Sequence, residues 1–243
     1  MAGEDAAICT VVNTRGSAPR KIGAKMIVLS NSQISGTIGG GALEKGVIEN
    51  ALAVIKNSEP KLFRYDLLHQ FNMCCGGTMD IFIEPVMKKS KLYIFGAGHV
   101  GRALANMAET LPFDIIVIDD RKDELDKIDN SEINKMHLDY TAALPLLPFD
   151  NQTYICIMTY SHPNDRDILA YCLNKPHAYL GMIGSRRKVE ITKKKFKEAM
   201  IASNDEIENV DMPIGVDISA ESPEEIAISI LGQIIKTKNQ NQK

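Results

Sequence analysis

Short apolar runs separated by turn residues open the chain. Ile8-Cys9-Thr10-Val11-Val12 and Met26-Ile27-Val28-Leu29 have the length and branched composition of strands, and Gly16-Ser17-Ala18-Pro19 and Gly23 punctuate them. The spacing then changes. After Gly39-Gly40-Gly41, residues Leu43, Val47, Leu52 and Ile55 fall largely on one helical face, which predicts a helix ending near Lys56. Further strands are predicted near Lys61–Tyr65 and Asp80–Pro85, giving a mixed α+β module.

Lys88-Lys89-Ser90 interrupts this pattern, and beyond it strands and helices alternate. Leu92–Phe95, Ile115–Ile118, Thr153–Met158 and Ala178–Ile183 read as strands; Val100–Leu111 and a segment after Pro163 read as helices. Such alternation predicts a parallel sheet covered by helices, hence an α/β chain with an N-terminal domain over 1–88 and a Rossmann-like domain over 89–243. The last helix carries its own start signal, Ser222 as cap, Pro223 at the first position and Glu225 three residues on, and is expected to reach about Lys236. The polar tail Thr237–Lys243 is expected to fray.

Composition narrows the function classes. Residues 1–89 carry 10 basic and 8 acidic side chains and the remainder 18 and 23, so neither half has the basic footprint of a nucleic-acid binder. No apolar run approaches the roughly 20 residues of a membrane span. The acidic start Met1-Ala2-Gly3-Glu4-Asp5 is unlike a secretory leader, and five cysteines, an odd number with two adjacent, suit free thiols in a reducing compartment; a cytoplasmic protein is expected.

Five motifs could carry chemistry. Gly96-Ala97-Gly98-His99-Val100-Gly101 follows a strand and precedes a helix, the context of a dinucleotide fingerprint: Gly96 for the turn, Gly98 for phosphate approach, Gly101 for helix-strand packing. Asp119 closes the next strand and could accept ribose hydroxyls, while Arg121 could instead meet a 2′-phosphate, so NAD and NADP both stay open. Gly39, Gly40 and Gly41 at a helix start form a second candidate phosphate cradle, with a plain tight turn as the alternative. Ser185, before Arg186-Arg187-Lys188, is placed to cap a helix or contact an anion, whereas the cations suit a solvated basic face. Thr159, Ser161, His162 and Asp165 follow a strand's carboxyl end, and His162 is a candidate acid or base, although Pro163 and Asp165 also fit ordinary helix initiation.

The remaining motif is Met73-Cys74-Cys75-Gly76-Gly77-Thr78. Adjacent cysteines grip a single metal ion poorly and the chain has no Cys-x-x-Cys, so a structural zinc site is disfavoured. Gly76 and Gly77 supply unhindered N–H groups that can stabilise a thiolate for soft-metal ligation or sulfur transfer; a vicinal disulfide or two half-buried thiols are the alternatives. Cys9, Cys156 and Cys172 lie in apolar patterns and are expected in the core.

Taken in order, Thr14-Arg15-Gly16-Ser17-Ala18-Pro19-Arg20, Gly36 to Glu44, Cys74 to Gly77, Gly96 to Arg102, Gly181 to Lys188, and Pro213-Ile214-Gly215 with Ser222 to Ala227 closely resemble the XdhC/CoxI family, accessory factors of xanthine dehydrogenase-type molybdenum hydroxylases. The resemblance implies a protein that binds molybdenum cofactor and assists its sulfuration and insertion, a non-enzymatic chaperone in character. Cys75 would be the leading cofactor-site thiol and molybdenum contact. An apo molybdenum hydroxylase and a cysteine desulfurase are the implied partners, and a homodimer stays open. Two departures stand out: Tyr160 where histidine is expected between Thr159 and Ser161, and Gly232-Gln233 where alanine and glutamate are expected. The rival readings are a small NAD(P)-dependent oxidoreductase using His162 or a cysteine, and a nucleotide-sensing module without chemistry.

Overall fold

A computed structural model describes residues 4–71 and 76–241, and the chain divides into two compact units, residues 1–88 and 89–243. The first contains β1 (Ala6–Arg15), β2 (Lys25–Leu29), β3 (Ile34–Gly36), α1 (Gly41–Asn57), β4 (Lys61–Asp66), α2 (Leu67–Phe71) and β5 (Thr78–Val86). The five strands form an antiparallel sheet in the order β3-β2-β1-β5-β4. Alternate residues Ala7, Cys9, Val11, Met26, Val28, Met79, Ile81 and Ile83 share one core with Leu43, Val47, Ala51 and Val54 of α1.

A register shift between Val11 and Asn13 breaks that alternation and sets Asn13 opposite Asp80. Asp80 then receives Arg64 through Nε at 2.7 Å and Nη2 at 3.1 Å, and Asn13 Nδ2 at 3.0 Å. Those hydrogen bonds, Arg64 first, hold its carboxyl down to about 2.

The second unit contains β6 (Ser90–Phe95), α3 (His99–Ala108), β7 (Phe113–Asp119), α4 (Lys122–Asp126), β8 (Asn134–His137), α5 (Tyr140–Ala143), a 3₁₀ turn at Leu144–Leu146, β9 (Thr153–Ile157), α6 (His162–Leu173), β10 (Tyr179–Met182), α7 (Arg186–Glu198), α8 (Asn204–Glu208) and α9 (Pro223–Asn241). Its sheet is parallel throughout, in the order β10-β9-β6-β7-β8. Central strand β6 is buried on both faces. Leu92 and Ile94 join the core under α3 and α9, while Tyr93 and Phe95 join the core under α5, α6 and α7. That is why its sequence is continuously apolar. With β7 on one side of β6 and β9 on the other, the order reverses at β6, and the carboxyl ends of β6 and β9 frame the crevice where such sheets take ligands.

Helix α9 starts where its capping residues predict, with Glu225 N donating to Ser222 Oγ at 3.2 Å and the Glu225 carboxylate accepting from Ser222 N at 3.0 Å. It does not stop at Lys236 but runs to Asn241. No glycine or proline interrupts residues 233–241, and Lys238 Nζ sits 5.3 Å from the centre of the Phe113 ring, docking the last turns on the sheet.

Candidate functional site

In the first unit the glycine loop before α1 is already filled. Gly39, Gly40 and Gly41 all have positive φ, turning backbone N–H groups inward. Glu44 Oε1 accepts from Gly40 N at 2.9 Å, Ile38 N at 3.1 Å and Thr37 Oγ1 at 2.6 Å. Partial burial works to raise the Glu44 pKa, but the bonds from Thr37 and the loop N–H groups outweigh it and lower it. The anion expected in this cradle is thus supplied by the chain itself, and an incoming phosphate would have to displace Glu44.

The same unit gathers motifs that are far apart in sequence. Gly76 bridges to Ser17, and a Cβ on Gly77 would strike the carbonyl oxygens of Ser17 and Arg15. A Cβ on Gly39 would lie 2.5 Å from Pro19 Cγ. The segment Thr14–Arg20 therefore braces both glycine turns, with Arg15 and Arg20 exposed. Cys74 and Cys75 lie outside the described residues. The other three thiols are buried as expected, and burial pushes Cys9 and Cys172 up to about 12 and raises Cys156 as well, so they are inert.

In the second unit the Gly96–Gly101 loop has the geometry its pattern predicts. A Cβ on Gly101 would collide with the Gly96 carbonyl, whereas Gly98 faces open space. Gly98 caps α3 without a side-chain bond, and no acid stands in the first turn. Asp119, however, has no oxygen to spare for ribose. It is fully buried; Oδ1 accepts from Arg121 N and Nε, both at 2.9 Å, and Oδ2 from Ala97 N at 2.7 Å and Arg121 Nη2 at 2.9 Å. Burial tends to raise its pKa, but Arg121 and the two N–H groups overcome that and lower it. Arg121 directs Nε and Nη2 to Asp119, while its side chain stays 34% exposed.

Two further features escaped the sequence. Tyr160 sends its hydroxyl to Asp120 Oδ2 at 2.8 Å while the Arg121 guanidinium lies 4.4 Å from its ring centre. Asp165, fully buried, accepts from Thr159 N at 2.9 Å, Thr159 Oγ1 at 2.7 Å and Lys188 Nζ at 2.8 Å; Lys188 also donates to Ile183 O at 2.9 Å. Lys188 is therefore no part of a solvated basic face: its side chain is 12% exposed, and it ties α7 to α6 and the β9 loop. Ser185 accepts from Lys188 N at 3.3 Å and acts as the cap of α7. His162 stays exposed, its Nδ1 3.8 Å from Asp165 Oδ2. Thr159 and Asp165 are neighbours in sequence, but no spacing announces Tyr160 with Asp120 or Lys188 with Asp165, which the sheet order brings together. Among the described residues no cluster of histidine, cysteine or acidic side chains could hold a metal ion, and no helix is long and apolar enough to cross a membrane.

Residues 92–234 match the family model for the XdhC Rossmann domain, and residues 1–66 match that of the XdhC and CoxI family. An uncharacterized Escherichia coli protein, YqeB, is 35% identical over 96% of this chain and 43% of its own length. A Bacillus subtilis protein described as a probable xanthine dehydrogenase subunit is 26% identical over 66% of this chain and 47% of its own. The molybdenum cofactor insertion chaperone PaoD of Escherichia coli is 26% identical over 38% of this chain and 30% of its own. The chain thus spans less than half the length of these curated relatives. A crystal structure described as a xanthine dehydrogenase from Bacillus halodurans shares the fold, with a TM-score of 0.54, 22% identity, and coverage of 98% of this chain and 92% of that one. The matched models cover both units in chain order, and this protein belongs to the XdhC and CoxI family.

Proposed function

We propose that this protein is a cytoplasmic accessory factor that receives molybdenum cofactor as cargo, holds it during sulfuration and passes it to an apo molybdenum hydroxylase of the xanthine dehydrogenase type. A cysteine desulfurase is the sulfur source in this reading, which holds for a monomer or a homodimer. The observation that carries it is the convergence in the first unit: Thr14–Arg20 touches both the Gly39 loop and the Gly76–Gly77 turn, which directly follows Cys75 in sequence. A thiolate suits soft molybdenum, and the exposed Arg15 and Arg20 suit an anionic pterin phosphate. The relationship to a cofactor insertion chaperone and to a probable component of xanthine dehydrogenase supports the same reading. The oxidoreductase alternative is weaker, because Asp119, its ribose acceptor, is committed to Arg121 and Ala97.

The test is to load purified protein with molybdenum cofactor and present it to an apo-hydroxylase, then repeat with Cys75→Ser. The expected result is cofactor retention and hydroxylase activation by the parent and loss of both in the variant. Retention and activation unchanged by Cys75→Ser would remove the thiol from the mechanism, and failure of the parent to bind cofactor would remove the function.

A further inference from the structure

Helix α9 buries one face and leaves a second apolar stripe uncovered. Ala227, Ile230, Leu231 and Ile234 join the core beneath it. Ile228 and Ile235 stand a heptad apart, so they line up along the outer face, and they are 55% and 40% exposed. Between them on the same side is Gly232, in a helix interior where glycine is the poorest choice after proline. Nothing in its own unit requires a glycine there: its φ is not positive, and a Cβ would meet only Val216 Cγ2, at an ordinary 3.5 Å. A glycine that its own fold does not need, flanked by two exposed isoleucines, marks a place where another backbone comes close from outside.

The charges at the two ends of the stripe define that neighbour. Glu221, Glu224 and Glu225 stand before it, and Lys236 and Lys238 stand after it. Acids at a helix start and lysines at its end suit the helix dipole and need no partner by themselves. Here they also make the stripe self-complementary. Two copies of α9 laid antiparallel about a two-fold axis near Gly232 set Ile228 against the partner's Ile235, and the acidic first turn of each against the lysines of the other; laid parallel, like charges would meet. By helical position Glu224 and Lys238 share one flank of the stripe, and Glu225 and Lys236 the other. Lys238 keeps its ammonium 5.3 Å from the centre of the Phe113 ring yet stays partly exposed, which leaves its charge at the rim.

We propose that α9 is the surface through which two copies of this chain pair, antiparallel, with Gly232 at the crossing. The pairing concerns the second unit alone and goes beyond the proposed function, which holds with or without it. A 19-residue helix is about 28 Å long and about 10 Å wide, so α9 covers less than half of the roughly 800 Å² per partner of a standard interface, and pairing is expected at micromolar concentration.

The test is sedimentation velocity of the full chain at about 5–500 μM, with melting curves to confirm that each variant is folded. The parent is expected to pass from monomer to dimer across that range, and Ile228→Asp to stay monomeric. Glu224→Lys and Lys238→Glu should each weaken the dimer about ten-fold, because each sets like charges together at both ends. Mixed in equal amounts, the two variants should pair again, since every end contact then joins opposite charges. Gly232→Ala should raise the melting temperature of dilute protein while weakening pairing several-fold, a combination that a purely intramolecular role would not produce. A parent that stays monomeric throughout, an Ile228→Asp variant that dimerises as strongly as the parent, or charge variants that fail to pair on mixing each overturns the proposal.

Discussion

A carboxylate clamped by arginine contributes stability only while it is ionised, and Asp80 is the clearest case in this chain. Its side chain is 10% exposed, and Arg64 and Asn13 hold its pKa at about 2, below the ordinary 3.8. Because the folded value is the lower one, the unfolded chain takes up the proton first as pH falls. The stabilisation is therefore complete above about pH 4 and lost as pH drops towards about 2. Arg64 is 65% exposed, so solvent screening keeps the effect small. Asp80→Asn is expected to lower the urea midpoint at pH 7 and to flatten its fall between pH 4 and pH 2; a variant that keeps the parent's acid slope would disprove this. At this scale the sequence revealed locations better than partners. Cys9, Cys156 and Cys172 are buried where their apolar neighbours place them, and Asp119 closes β7 as its spacing requires. That Arg121 folds back onto Asp119 is a matter of side-chain torsion across a two-residue turn, which no hydrophobic pattern encodes.

The elements themselves were legible wherever burial imposes a period. The expected strands at Ile8–Val12, Met26–Leu29, Leu92–Phe95 and Ile115–Ile118 all lie within β1, β2, β6 and β7, and the helix after Gly41 ends one residue beyond Lys56. What went unseen is short: β3, whose three residues are exposed, β8 with Asn134–His137, and helices of four or five residues such as α2, α4, α5 and α8. Such pieces hold too few buried positions to show a period. The glycine loops separate two requirements that a motif merges. Gly101→Ala forces a Cβ into the Gly96 carbonyl and is expected to cost about 1–3 kcal/mol, read as a fall in melting temperature. Gly98→Ala meets no atom within 4 Å and should melt like the parent, since this glycine is needed for approach from outside, not for packing. At the head of α1, Glu44→Ala strips the acceptor from Thr37, Ile38 and Gly40 and should cost about 1–3 kcal/mol, checked by denaturant unfolding.

At the scale of the molecule, the core residues segregate completely. Every member of the first unit's buried cluster lies between Ala7 and Ile83, and every member of the two clusters in the second unit lies between Leu92 and Ile234. Among the described residues, each unit therefore carries its own hydrophobic core, and each has its own sheet. The change in pattern at Lys88-Lys89-Ser90 reflects this difference: one face of an antiparallel sheet buried before it, both faces of a parallel sheet buried after it. The second unit has the size at which a single domain buries roughly two thirds of its surface on folding. Its central strand needs no partner from residues 1–88, because β7 and β9 pair with both edges of β6 and helices from the same unit supply both cores. A chain beginning at residue 89 is therefore expected to fold alone, showing one cooperative urea transition by far-ultraviolet circular dichroism. Introducing Gly101→Ala into that fragment should move the transition to lower urea, because the collision it creates, with Gly96, lies wholly within the fragment. A fragment that is unfolded, or that unfolds without cooperativity, would show that the second unit depends on residues its own core does not reveal.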